Sequence, residues 1–432
     1  MDFIKWLLPG IGVKRWFLLA ILGILIFTQG LLYTASIIWP QIISVKFGND
    51  YMIVYAILML VIGLVVLITS IKQLLKSVLK AYLEEDYEHQ HGKVIDVLIK
   101  QNILKYAPKI VAIGGGTGLS NLLSGLREIT TNITAVVTVA DNGGSSGRLR
   151  KMDIPAPGDI RNCILSLASA GDSMYDLFNY RYENDDNVPE GLEGHSFGNL
   201  FLATLTRITG DFPSAVKLAC QVLAVKGKVL PVTDCSSVHL QAELQNGEII
   251  TGECEIGKTT DKIKEISLTT DCKVTEEVKE VIGDADLIVI GPGSLYTSII
   301  ATLLPNGMIA ALKNTNAEVV YISNIMTQAN ESLNHSVADH IKAVEKHIGE
   351  NVLDAVVVNT TTISDDIREL YHEEGADLAI VDKAELASLN PHIIYANLLE
   401  INNQKNVRHC PEKLAWALAK YMFEDKKKRV AR

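Results

Sequence analysis

The sequence predicts an α/β fold: a modified Rossmann-like parallel sheet with a small antiparallel insertion, preceded by a two-helix transmembrane hairpin. Three observations carry this prediction. Two long uncharged apolar runs stand near the amino end; beyond Pro108 short apolar runs alternate with helical stretches; and one segment around Asn246-Gly247 switches to residue-by-residue alternation. Helices covering both faces of a parallel sheet make its strands continuously apolar, whereas a half-exposed antiparallel strand alternates.

Trp16 to Pro40 and Tyr51 to Ile71 carry no charge, and crossing the hydrocarbon core takes about 20 residues. Trp16, Tyr33, Trp39, Tyr51 and Tyr55 lie near the span ends, as interface aromatics do. Lys5, Lys14 and Arg15 precede the first span and Lys72, Lys76 and Lys80 follow the second, while the connecting loop sets Lys46 against Asp50. The positive-inside rule then places both ends, and the main domain, in the cytoplasm of a two-pass membrane protein. The length of the first span and the presence of a second argue against a cleaved leader. The expected boundaries are residues 1–71 for the hairpin, 72–107 for a helical connector and 108–432 for the α/β domain.

With 432 residues, 48% of them hydrophobic, the chain can bury a substantial core. Its net charge of −10 argues against a nucleic-acid partner, which would require a basic face. The six cysteines form no CxxC pair, which fits reduced thiols rather than zinc or disulfides. Strands are expected at "KIVAIG", "ITAVVTVA", "LIVIG", "EVVYIS" and "DAVVVN", with "LAIV" near the end. Lys228 to Thr270 reads as the antiparallel insertion, with Asn246-Gly247 as its hairpin turn.

"KIVAIGGGTGLSNLLSGL" runs from strand through glycines into helix. Gly114, Gly115, Gly116 and Gly118 would let phosphates approach main-chain amides at a helix start, although a tight structural turn reads equally well. Taking Gly114 and Gly116 as the first two glycines of a dinucleotide fingerprint puts Leu119 where the third belongs, and no Gly-Lys-Ser/Thr follows, so neither that fingerprint nor a P-loop is present. A second loop, "VTVADNGGSSGRLR", offers Asp141, Asn142, Gly144, Ser145, Ser146 and Arg148, and its hydroxyls, amides and arginine point at an anion. In "PAPGDIRN", Asp159 either caps its own helix or faces a ligand, with Arg161 and Asn162 beside it. "GHSFGNL" adds His195 and Asn199. "LIVIGPGSLYTSI" repeats the strand, turn and helix pattern with Gly291, Gly293, Ser294 and Tyr296. The carboxyl ends of parallel strands share one rim, where ligands bind.

Together with "TGDF", "GKVLP" and "YISNIMTQ", these motifs resemble the YvcK/CofD-like family of gluconeogenesis factors over roughly Lys109 to Leu418. The hairpin lies outside that resemblance, and many members of the family lack such a segment, so the chain looks like a membrane-tethered version. The resemblance implies binding of a UDP-sugar such as UDP-N-acetylglucosamine and a role in cell shape and growth on gluconeogenic carbon. Its CofD branch implies a 2-phospho-L-lactate transferase using a nucleotide-activated donor, a deazaflavin alcohol and Mg²⁺. Carried over by motif, Gly115, Gly116, Thr117 and Gly118 would approach the phosphates, Asp141 and Asn142 would lie near ribose or metal, and Asn199, Tyr296 and Asn324 would complete the ligand site. Many relatives read Asp-Asp-Gly-Gly where this chain has Asp141-Asn142-Gly143-Gly144, and an amide binds Mg²⁺ less well than a carboxylate. The expectation is therefore a binding regulator with no catalytic residue assigned, no cofactor required beyond an optional Mg²⁺, and envelope-synthesis proteins or a second copy as partners. An NAD-dependent dehydrogenase is disfavoured by the glycine spacing.

Overall fold

A computed structural model describes residues 13–38, 52–82 and 108–430, apart from 170, 184–187, 190, 237, 260 and 403–404. The chain divides into two compact units, residues 1–101 and 102–432.

In the first unit, α1 (Val13–Ile38) and α2 (Met52–Tyr82) are both long and apolar enough to cross a membrane. Small residues let their backbones approach closely: a Cβ on Gly23 would lie 2.9 Å from Leu67 N, and one on Gly63 would lie 2.5 Å from Phe27 N. Leu25, Leu32, Val54 and Val61 point outward, more than half exposed. α2 continues beyond the expected boundary at Ile71 through Tyr82. The rest of the expected connector, residues 83–107, lies outside the described residues.

The second unit begins with β1 (Ile110–Gly114), α3 (Gly116–Leu126), β2 (Ile133–Val137), α4 (Gly144–Arg150), α5 (Gly158–Leu167), α6 (Asp172–Asn179), α7 (Phe197–Thr209), α8 (Phe212–Val222) and β3 (Lys228–Pro231). The insertion follows with β4 (Leu240–Leu244), β5 (Ile249–Thr251), α9 (Glu253–Ile256) and β6 (Ile263–Leu268). Then come α10 (Glu276–Gly283), β7 (Leu287–Ile290), a π-helical turn (Leu295–Ile300), α11 (Ala301–Leu303), α12 (Met308–Asn314), β8 (Glu318–Ile322), α13 (Val337–Ile348) and β9 (Ala355–Asn359). The chain closes with α14 (Asp365–Glu373), α15 (Lys383–Leu386), β10 (His392–Ala396), the β11 (Leu399–Ile401) and β12 (Val407–His409) ribbon, and α16 (Pro411–Val430).

Seven strands form one parallel sheet in the order β10-β9-β8-β7-β1-β2-β3. From β1 the sheet grows one way through β2 and β3, then the other way through β7 to β10, so the order reverses between β1 and β7. Alternate residues feed two cores. Val111, Ile113, Ile288 and Ile290 pack toward the insertion, α10 and α13, while Ile110, Ala112, Leu287 and Val289 pack toward α3, α5, α8 and α16. Leu119, Leu122 and Leu123 of α3 are completely buried, each stabilising the fold by about 1.5–3 kcal/mol.

The insertion is an antiparallel sheet, β5-β4-β6, and its hairpin turns at Gly247 with φ +87° while Asn246 Oδ1 accepts from Glu248 N–H at 2.8 Å. Two sequence expectations change. Lys228 to Pro231, assigned to the insertion, is the edge strand β3 of the main sheet; it is too short to show periodicity. "LAIV" makes only isolated bridges through Leu378 and Ile380, and the final sheet strand is β10 instead.

Candidate functional site

A cleft of about 370 Å³ opens where the strand order reverses, within the size range of small-molecule sites. The loops after β1, β7 and β8 wall it, together with β12, Asp159 and Glu253.

The first wall is built from backbone. Gly116 has φ +66°, which a side-chain-bearing residue adopts only with strain. A Cβ on Gly118 would lie 2.6 Å from the Pro292 carbonyl oxygen, so the first and third glycine loops touch main chain to main chain. Thr117 and Gly118 occupy the first turn of α3, whose amides lack intrahelical acceptors. The Gly116 amide is already taken, because it donates to the Asp159 carboxylate. Asp159 therefore does not cap its own helix, whose N-cap is Pro157; it reaches across to hold the first loop.

The third loop differs from expectation in one respect. Gly293, Ser294 and Ser298 line the cleft, but the amides opening the π-helical turn are occupied. Glu331 accepts from Tyr296 N–H at 3.0 Å, Thr297 N–H at 3.3 Å and Thr297 Oγ1 at 2.5 Å. Tyr296 is buried in the sheet core, not in the cleft wall. Gly291 lies behind the wall, its N–H donating to Ile113 O at 2.8 Å.

Asp141, Asp159 and Glu253 crowd together beside the first loop. Burial first and the Asp141 charge second push Asp159 up to about 6. Glu253 rises to about 8 through burial, the Asp141 charge and a hydrogen bond shared with Asp141. Among the described residues, no three His, Cys, Asp or Glu side chains are placed to hold a metal ion. Asp159 and Glu253 do both face the cleft, and hard oxygen donors of this kind suit Mg²⁺ when substrate phosphates complete its shell. Asn142 serves a structural purpose: its Oδ1 accepts from Cys254 N–H at 2.8 Å, tying the second loop to α9.

Of the remaining expected residues, all but Asn324 lie outside the cleft lining. Ser145 Oγ lies 2.8 Å from His195 Nδ1, and both residues are buried, as is Ser146. Gly144 has φ +44° and open space around it. Arg161 donates to Ser196 Oγ at 2.5 Å and to Asn162 Oδ1 at 2.8 Å, so these three form one network. Asn199 is buried with its Oδ1 unpartnered. Gly115 sits behind the cleft, where a Cβ would meet Asp159 Oδ2 at 2.6 Å. Asn324 lines the cleft with a buried, unpartnered Oδ1.

The sequence reading did not include Asn121, Glu253, Met326, Gln328, Val407, Arg408 or His409 among the site residues, yet all face the cleft. Asn121 stands one helical turn beyond Thr117, a spacing that could have flagged it. Gln328 Nε2 donates to Ser294 Oγ at 3.0 Å, joining the β7 and β8 loops. Asn121 Nδ2 donates to the His409 carbonyl, fastening β12 to α3. Burial lowers His409 to about 4, leaving it neutral beside the Ser323 carbonyl at 3.2 Å. Arg408 is exposed at the cleft without an ion pair among the described residues.

The model of the family described as 2-phospho-L-lactate transferase CofD matches residues 110–399. The gluconeogenesis factor of Bacillus subtilis is 43% identical over 73% of this chain and 99% of its own. A relative from Clostridium acetobutylicum with gluconeogenesis factor in its name is 40% identical over 99% of this chain and 95% of its own, a match that includes the two apolar helices. A crystal structure of a Bacillus halodurans protein, 43% identical, covers 72% of this chain and 99% of that one with a TM-score of 0.69. The cleft between reversed strands, its glycine walls and this extent of identity lead to one assignment: the chain belongs to the CofD/YvcK family, among the gluconeogenesis factors.

Proposed function

We propose that the second unit is a cytosol-facing regulator that binds a nucleotide sugar of the UDP-N-acetylglucosamine type, acts in cell shape and envelope synthesis during gluconeogenic growth, and is held at the membrane by α1 and α2. The observation that carries this reading is the composition of the cleft: open first-turn amides at Thr117 and Gly118 face a space that Arg408 also borders. Main-chain amides and a guanidinium suit a diphosphate, and glycine turns let it come close. Among the described residues, the one serine hydroxyl bonded to a histidine ring, Ser145 with His195, is buried outside the cleft.

Calorimetry with UDP-N-acetylglucosamine tests the reading on the chain from Asn102 onward, since the Bacillus halodurans relative consists almost wholly of the matching unit. Gly116→Val should abolish binding, and Arg408→Gln should weaken it about tenfold or more, the effect of losing one charge-assisted hydrogen bond. Unchanged affinity in both folded variants would place the ligand elsewhere.

A second reading, a 2-phospho-L-lactate transferase, is favoured by the family match and by the carboxylates facing the cleft. Asp159 and Glu253 would hold Mg²⁺, whose charge would supply electrostatic stabilisation to a phosphoryl group. Arg161 is committed to Ser196 and Asn162 and does not line the cleft. Mass spectrometry after incubation with a nucleotide-activated phospholactate, a deazaflavin alcohol and Mg²⁺ separates the readings, because a regulator leaves both organic substrates unchanged.

A further inference from the structure

Beside the cleft, two guanidiniums meet at a single glycine. Backbone bonds pin the segment Tyr180 to Tyr182 against the Gly194 turn: Phe197 N–H to Tyr180 O at 2.9 Å, Tyr182 N–H to His195 O at 2.9 Å and Gly194 N–H to Tyr182 O at 2.6 Å. This ladder fixes the backbone of Arg181, whose Nη1 donates to the Gly194 carbonyl at 2.7 Å. Arg148, in the last turn of α4, reaches the same residue: a Cβ on Gly194 would lie 3.0 Å from Arg148 Nη2, and Gly194 has φ +67°. A side chain there would be strained and would meet the guanidinium.

Both arginines are exposed, and neither forms an ion pair among the described residues. His195, directly beneath, is held below its usual value by burial and then by the charges of Arg148 and Arg181. Like charges gathered on a braced turn, paired with no carboxylate among the described residues, are the arrangement that guanidinium forks use for phosphate oxygens. We propose that Arg148 and Arg181 form a second anion site, outside the cleft, that takes a phosphate or pyrophosphate group of a small molecule. Two adjacent cations match a dianion better than a single carboxylate. The site goes beyond the nucleotide-sugar reading and does not depend on it.

Phenylglyoxal labelling of the full-length chain in detergent, read arginine by arginine through peptide mass spectrometry, tests the site with inorganic pyrophosphate as probe. Pyrophosphate should slow labelling of Arg148 and Arg181 saturably, by about tenfold at ten times its half-protecting concentration, while exposed Arg207 is unaffected. Arg181→Gln should remove the protection of Arg148, and Arg148→Gln that of Arg181. Unchanged labelling under pyrophosphate, equal slowing by potassium chloride at matched ionic strength, or persistence of protection in either variant overturns the proposal. Absence of UDP-sugar binding in calorimetry would leave this readout untouched, so the two ideas fail separately.

Discussion

Glu253 lies partly buried beside the Asp141 charge, and its raised pKa gives the cleft a marked dependence on pH. The folded state holds the Glu253 proton up to about pH 8, against an ordinary value of 4.5. A carboxylic acid raised on folding contributes stability that is complete below its unfolded pKa and disappears as pH climbs through the folded one. Thermal unfolding of Glu253→Gln in Mg²⁺-free buffer should therefore match the parent near pH 4.5 and exceed it above pH 8. Parallel curves across that range would show that the pair is not strained. Residues of this kind were hidden in the sequence. Glycines at 116 and 118 announce themselves because a missing side chain has few uses, whereas Glu253 lies in a stretch that reads as exposed hairpin and becomes part of the cleft only once the insertion folds. Arg408 and His409 carry no local signature at all. Tyr296 shows the opposite case: its motif suggested a ligand contact, but its ring fills the core behind the loop.

Glu331 governs an element rather than a contact. Its carboxylate closes the start of the π-helical turn by accepting from two amides and one hydroxyl, and burial raises its own pKa. Replacing it by Ala leaves those donors unsatisfied, each at a cost of about 1–3 kcal/mol if water cannot reach it. Urea unfolding should show a loss of about that size, accompanied by weaker ligand binding because Ser294 and Ser298 stand on the same loop. Full stability in Glu331→Ala would mean that the amides find other partners. The elements themselves were legible to unequal degrees. Five continuous apolar runs became buried parallel strands, as two-sided burial demands, and Asn246-Gly247 became a turn. β3 and β10 escaped because a four-residue edge strand and a half-exposed one, "HIIYA", show neither a full apolar run nor clean alternation.

At the scale of the molecule, the apolar faces of α1 and α2 and the polar surface of the α/β unit ask for different solvents. The full chain should sediment with lipid or demand detergent, while the chain from Asn102 onward should stay in the supernatant after ultracentrifugation. Equal solubility of the two would remove the case for a membrane anchor. The sheet order was legible only in outline, since sequence marks strands but not their neighbours; the reversal between β1 and β7 is what brings two glycine loops together. The cleft's remaining wall comes from β12, fastened to α3 by Asn121. Ribosomes release a polypeptide from its amino end, so the glycine turn after β1 emerges long before Val407 to His409 leave the exit tunnel. The cleft is thus complete only in the finished chain, and a product clipped ahead of β12 keeps every strand of the large sheet while losing the arginine that borders its cleft.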